Sequence, residues 1–248
     1  MERTTAKPTR GRAAVRVARK LVNEIRRRGL QPGMKLDAEH RMVEQLGVAR
    51  GTVREALRFL ELQGGLRIKA GPGGGPVVSV PGADYLASVL SLHLQFAGAS
   101  FQSVLDARRS IYPLLAAQAA ENASPEDIAM LRECVAKMKA DDGDQQVFQT
   151  QARRFYSLVA AAASNPVLAL LVDALHRMSE GSALAWDEKQ RRSAARTYTR
   201  VVEAIESRDP KSAASVMEKN LTEAMRTWKR IAPDQLEQAV PWIDVDNT

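Results

Sequence analysis

Gly47-Val48-Ala49-Arg50-Gly51-Thr52-Val53-Arg54-Glu55-Ala56-Leu57 is the stretch whose reading decides the fold of the N-terminal third. A glycine ends one short helix, and a second opens at once with Arg50, Thr52 and Arg54. Arg50 and Arg54 stand four residues apart, so they project from one helical face. Either can fork onto guanine O6 and N7 or bridge to a phosphate. Gly51 keeps the helix start narrow, and Thr52 offers a hydroxyl. The pattern is that of a helix made to enter a major groove.

Working outward, Val15, Ala18, Leu21, Val22 and Ile25 recur at helical spacing. That helix ends in Arg26, Arg27 and Arg28 followed by Gly29, a favourable stop for the helix dipole. Pro32-Gly33 turns the chain. Asp37 is placed to cap the next helix, whose inner face is Ala38, Met42, Val43 and Leu46. The third helix spans about Arg50 to Leu62, with Val53, Ala56, Leu57 and Leu60 inward, and Gly64-Gly65 stops it. Two β-like runs, Leu66–Lys69 and Pro76–Val80, flank Ala70-Gly71-Pro72-Gly73-Gly74-Gly75, a link suited to a hairpin tip. Three helices and a hairpin make a winged helix-turn-helix over residues 1–82, with Val80-Pro81-Gly82 as linker.

Charge follows the same division. Residues 1–80 hold 17 Lys and Arg against 7 Asp and Glu, whereas the remainder is slightly acidic within an overall formal charge of +7. A basic first third points to a polyanion, against the plainer alternative of a solvated basic face. Residues 1–12 read as a disordered tail, either solvated or an arm reaching phosphate or minor groove.

From residue 83 to 248 the periodicity is helical throughout. Seven helices are expected near 84–97, 100–121, 125–140, 145–162, 166–185, 190–207 and 211–230. Ser124, Asn165 and Asp209 each precede a proline, a strong helix-start signal. Pro233 to Thr248 reads as an acidic tail, and whether Trp242 pins it down is left open by the sequence. The fold class is therefore mainly α, an N-terminal winged helix-turn-helix followed by an all-α antiparallel bundle. One cysteine, Cys134, excludes an intrachain disulfide framework and reads as core. No apolar run is long enough for a membrane span, and no secretory signal is visible, so a cytoplasmic protein is expected. No Ser-His-Asp, Cys-His or paired-carboxylate constellation supports an enzyme.

With these residues in view, the chain over about 15–80 resembles the GntR family of bacterial repressors. That family typically reads Leu-Pro-Ser-Glu-Arg, then Gly-Val-Ser-Arg-x-x-Val-Arg-Glu-Ala-Leu, then a glycine-containing wing. The counterparts here are Leu36-Asp37-Ala38-Glu39-His40 and Gly47 to Leu57. The resemblance implies base-reading and backbone-positioning roles for Arg50 and Arg54, a DNA contact for Thr52 and Gly51, and a wing-tip role for Gly71. Ala49 stands where the family has Ser or Thr, Ala38 replaces a serine cap, and His40 replaces an arginine. Ala49 and His40 remain at the DNA-facing positions.

The later residues resemble the FadR-type effector domain, through Leu105-Asp106-Ala107-Arg108-Arg109, Asn122-Ala123-Ser124-Pro125-Glu126-Asp127, Phe155, Ala163-Ser164-Asn165-Pro166 and Val201-Val202-Glu203-Ala204-Ile205. Many such domains hold a divalent metal by one Asp and three His. The corresponding positions read Ala152, Tyr156, Tyr198 and Asn220, so no metal and no other cofactor is expected. Of the three histidines, His93 and His176 lack ligand spacing and read as satisfied or surface residues. The resemblance points Arg108 into the bundle, where it would meet an anionic ligand together with Tyr156, Tyr198 and Asn220. Alternatively the last three fill the old metal cavity and bond one another. Arg191, Arg192 and Arg196 suit either a phosphate-rich head or a solvated face.

The expectation is an effector-responsive repressor that binds a palindromic double-stranded DNA operator as a homodimer. Its small-molecule effector would be a small organic acid or a fatty acyl ligand, with no membrane involvement. The rivals are a constitutive DNA-binding or architectural protein without effector and, further off, an enzyme on the helical domain.

Overall fold

A computed structural model describes residues 10–71, 73–140, 145–179 and 187–245. Among these residues the chain is mainly helical, with eleven helices and one two-stranded sheet. Its contacts divide into two compact units between Tyr85 and Leu86.

The first unit packs α1 (Arg10–Arg28), α2 (Glu39–Leu46) and α3 (Arg50–Leu62) around one core. Val17, Ala18, Leu21, Met42, Val53, Ala56, Leu57, Leu60 and Leu66 are buried there. The inward face of α1 therefore runs through Ala14, Val17, Ala18 and Leu21, while Val22, expected inside, is exposed. Gly47 takes a left-handed φ of 61°, and its N–H caps α2 at the Val43 carbonyl. Such a conformation suits glycine, so α3 can follow after only two more residues.

Asp37 does not cap α2. The residue at the cap position is Ala38, whose methyl group offers no acceptor. Asp37 instead pairs with Arg28 at the end of α1, 2.9 Å away. A full guanidinium outcompetes a half-charge at a helix start.

Antiparallel strands β1 (Leu66–Lys69) and β2 (Gly75–Val78) form the wing, with Leu66 opposite Val78 and Lys69 opposite Gly75. The preceding segment adds a third edge that the sequence did not announce. Gly33 and Leu36 donate to the Val78 and Pro76 carbonyls, and Val78 donates back to Met34.

In the second unit lie most of α4 (Ala83–Phe96), then α5 (Phe101–Asn122), α6 (Pro125–Lys139), α7 (Gln145–Ala162), α8 (Pro166–Arg177), α9 (Glu188–Glu206), α10 (Pro210–Ile231) and the short α11 (Pro233–Glu237). Ser124, Asn165, Asp187 and Asp209 each cap a helix by accepting a backbone N–H. The Arg208 guanidinium donates to the Ala120 and Ala123 carbonyls, so it closes the C-terminal end of α5. α5 runs through Pro113, which removes one backbone donor from its middle.

α8 ends at Arg177, earlier than expected, and residues 180–185 of the expected helix lie outside the described residues. Through residue 245 the C-terminal segment is pinned down, the alternative that Trp242 left open. Leu236 and Val240 are buried, and Ala239 pairs with Ser100. Trp242 donates its indole N–H to Ser88 Oγ, and the Ile243 N–H meets Ser91 Oγ.

Candidate functional site

The first site is the N-terminal end of α3. Ala49 holds extended backbone, and its carbonyl accepts from Thr52 and Val53, which starts the helix without a side-chain cap. Arg50, Arg54 and Arg58 are all exposed and repeat every four residues along one face. Arg58 extends the pair read from the sequence by one turn, and the same spacing could have found it.

Glu39, the first residue of α2, faces this row. Its carboxylate lies 2.9 Å from Arg54 Nε and 3.7 Å from Arg50 Nε. A carboxylate on Nε leaves the two terminal nitrogens of Arg54 free as a fork, the edge that reads guanine. Sequence reasoning quoted Glu39 without giving it a role. Gly51 and Thr52 are half-buried, while His40 is exposed on α2. Gly71 sits in the wing loop at φ 91°, and Gly74 donates to its carbonyl. Lys35 Nζ donates to the Gly73 carbonyl at 2.6 Å, and Arg67 and Lys69 are exposed on β1. The unit thus carries a basic helix start and a basic hairpin, groups suited to phosphate and base edges.

The second site is a cavity of about 240 Å³ inside the helical unit, lined from α5, α7, α8, α9 and α10. Arg108, Ala152, Tyr156, Tyr198 and Asn220, far apart in sequence, all line it. Arg108 stacks over the rings of Tyr112 and Tyr156, 5.1 and 5.5 Å from their centroids. It donates from Nε to Tyr112 Oη at 3.1 Å, from Nη1 to Ser179 Oγ at 3.0 Å and from Nη2 to His176 Nδ1 at 3.3 Å.

Of the two alternatives read for His176, satisfied or surface, the first holds, since its Nδ1 is hydrogen-bonded, but its place in the cavity is not read from the sequence. His176 is neither a surface residue nor a ligand-spaced one, but half-buried and lining the cavity. Arginine can only donate, so the His176 Nδ1 must accept and the ring is neutral. Burial, reinforced by the charges of Arg108, Arg153 and Arg177, holds its pKa down at about 2. Its partner lies 68 residues away, so no local spacing reveals it.

Asn220 Nδ2 donates to Tyr156 Oη at 3.0 Å, and the Tyr156 and Tyr198 hydroxyls lie 3.3 Å apart. Burial raises the pKa of both phenols, so both stay protonated and neutral. A divalent cation needs carboxylate, imidazole or thiolate donors. Ala152, two neutral phenols and an amide do not supply them, and the residues present do not fit the metal of the resembling domains. Among the described residues, no group of three or more His, Cys, Asp or Glu is placed to hold a metal ion. Arg191, Arg192 and Arg196 lie apart from this cavity, bordering a separate groove with Lys139, and Arg192 pairs with Glu188.

A winged DNA-reading domain joined to a helical domain with an internal cavity defines the class of ligand-sensing transcription regulators. Comparison with known families agrees. The model of the bacterial regulatory proteins of the gntR family matches residues 13–74, and that of the FCD domain matches residues 103–223. The chain belongs to the GntR family: it is a DNA-binding transcriptional regulator with a C-terminal FCD effector-binding domain.

Among curated relatives, the HTH-type transcriptional regulator Mce2R of Mycobacterium tuberculosis is 29% identical over 192 residues, covering 74% of this chain and 78% of its own. The putative L-lactate dehydrogenase operon regulatory protein of Escherichia coli is 28% identical over 235 residues, 89% of this chain and 87% of its own. The HTH-type transcriptional repressor NanR of Salmonella schwarzengrund is 28% identical over 222 residues, 86% of this chain and 82% of its own. The solved structure of Streptococcus agalactiae GntR superposes with a TM-score of 0.73 at 20% identity, covering 86% of this chain and 99% of that one. At that identity the likeness is one of fold. No described helix is long and apolar enough to cross a membrane.

Proposed function

We propose that the protein is a cytoplasmic, effector-responsive repressor. Two protomers bind a palindromic operator, each laying α3 in the major groove of one half-site, and they release it when a carboxylate ligand fills the helical cavity. Residues 1–82 carry the DNA contacts, through Arg50, Gly51, Thr52, Arg54, His40, Ala49 and Gly71. Residues 83–248 carry dimerisation and the effector site, through Arg108, Tyr156, Tyr198 and Asn220. The repressor sense is supported by the name of NanR among the relatives.

The observation that carries the effector reading is the state of Arg108. It lines a cavity whose described lining includes no Asp or Glu, and its three hydrogen-bond partners are all neutral. A guanidinium has five N–H donors, so two remain for a ligand. A carboxylate satisfies such a pair in bidentate fashion. The ligand's preference for one conformation of the protein then shifts DNA affinity.

Fluorescence anisotropy with DNA from upstream of the protein's own gene tests this. Two protomers per site are expected, with weaker binding on addition of a carboxylate from a panel of organic acids, unchanged by EDTA. DNA binding indifferent to every carboxylate points to a constitutive binder. Release that EDTA abolishes overturns the metal-free reading.

A further inference from the structure

The cavity has two chemically different ends. At one end lie Arg108, Tyr156, His176 and Asn220, tied together by the hydrogen bonds and stacking described above. At the other, Phe101 and Trp228 meet edge to face with centroids 5.1 Å apart, and Met225 joins them in one buried cluster. Arg108 and Phe101 are seven residues apart on α5, and Asn220 and Trp228 eight apart on α10. Because Arg108 neighbours Tyr156, which Asn220 bonds, and Phe101 neighbours Trp228, the two helices run antiparallel along this axis. The polar and apolar ends are thus roughly 10 Å apart at 1.5 Å rise per residue. Leu105, Leu221 and Ala224 line the path between them.

We infer that this cavity takes a monocarboxylate with an unbranched or aryl apolar tail, its head on Arg108 and its tail lying between α5 and α10 against Phe101, Met225 and Trp228. The inference rests on the effector reading above and narrows its ligand class. Along the path between α5 and α10 a polycarboxylate or polyhydroxy acid fits poorly, since its extra polar groups would face Leu105, Leu221 and Met225 and lose their hydration without a partner, the remaining polar lining, Gln145, Gln149 and Arg153, being on α7. An acyl thioester fits poorly as well, since it has no carboxylate for the fork. The positions where resembling domains hold a metal supply only neutral hydroxyl and amide groups here, so at the polar end the anionic head is anchored by Arg108, while Arg153, the other cation of the lining, comes from α7 and not from the α5–α10 path.

Calorimetric titration of the full-length protein tests the assignment. The probes are octanoate, whose extended chain matches the distance between the two ends, and octanamide, butyrate, citrate and octanoyl coenzyme A. Octanoate is expected to bind one molecule per protomer, equally with or without EDTA. The other four are expected to bind at least tenfold more weakly. Arg108→Gln should weaken octanoate at least tenfold. Ala224→Phe, which blocks the path to Trp228, should remove octanoate binding and leave butyrate unchanged. This second variant and the ligand series keep the test decisive if Arg108→Gln does not fold.

Octanamide binding as tightly as octanoate, citrate or octanoyl coenzyme A binding more tightly, or an unaffected Ala224→Phe variant overturns the inference. So does the absence of octanoate binding at millimolar concentration. Octanoate that binds as expected but leaves DNA affinity unchanged upholds the site and removes the effector reading. DNA release by a carboxylate that octanoate does not displace does the reverse.

Discussion

Substitution of Arg54 separates base reading from charge. Its Nε is engaged by Glu39 at 2.9 Å, which leaves the terminal nitrogens as the fork for a base. A bidentate guanine contact discriminates by about 1–3 kcal/mol, or roughly 5- to 150-fold. In a palindrome bound by two protomers the loss counts twice, about 2–6 kcal/mol for the full site. The ion pair with Glu39 does not offset this, because the Arg54 side chain is 59% exposed and such pairs are worth about 0–1 kcal/mol.

Arg54→Ala should therefore abolish specific binding in a gel-shift titration and leave most non-specific binding intact. Arg54→Lys keeps the charge but lacks the fork, so it should lose nearly as much specificity as alanine while preserving the salt dependence. Glu39→Gln should raise affinity for non-operator DNA, since it removes a negative charge beside the phosphates, and lower the ratio of specific to non-specific binding. An Arg54→Lys variant with wild-type specificity would refute base reading and reduce Arg54 to a phosphate contact.

Three further outcomes follow from the packing. At Gly64, where φ is +71°, an added Cβ would lie 2.3 Å from the Tyr85 ring, so Gly64→Ala should lower stability by about 1–3 kcal/mol in urea unfolding. His176 is held neutral with a pKa of about 2, so the unfolded chain takes up its proton first as pH falls below about 6.5, and stability is lost on acidification. Between pH 6.5 and 5 the wild type should therefore lose more stability than His176→Gln in parallel melts, and equal slopes would contradict the burial of a neutral ring. Tyr156→Phe removes the acceptor of Asn220 Nδ2 and should cost about 1–3 kcal/mol by the same unfolding assay, and an unchanged midpoint would contradict a buried bond there.

What the sequence makes legible is what local chemistry decides. Ser124, Asn165 and Asp209 announce their helices because each cap bonds an N–H three residues on. The α3 arginines are legible because helical spacing fixes their face. Contacts between distant segments carry no such signal. Asp37 satisfies the local rule for a cap yet turns to Arg28, because charge pairing across the fold outweighs a helix dipole. The strand-like edge at Gly33–Leu36 exists only because β2 lies beside it. The C-terminal segment looks like a polar tail until Val240 is seen buried between the start of α5 and α8. Resemblance named Arg108, Tyr156, Tyr198 and Asn220, and the fold brings them to one cavity. His176 reads only as satisfied or surface, and its role in the cavity stays hidden because its partner comes from another helix.

The most direct test of the central proposal is the affinity of metal-stripped protein for operator DNA, measured by anisotropy with and without a saturating carboxylate, for wild type and Arg108→Gln. The account predicts that the carboxylate weakens DNA binding by wild type in EDTA and leaves Arg108→Gln unmoved. Release that needs added metal, or that persists in Arg108→Gln, would contradict it.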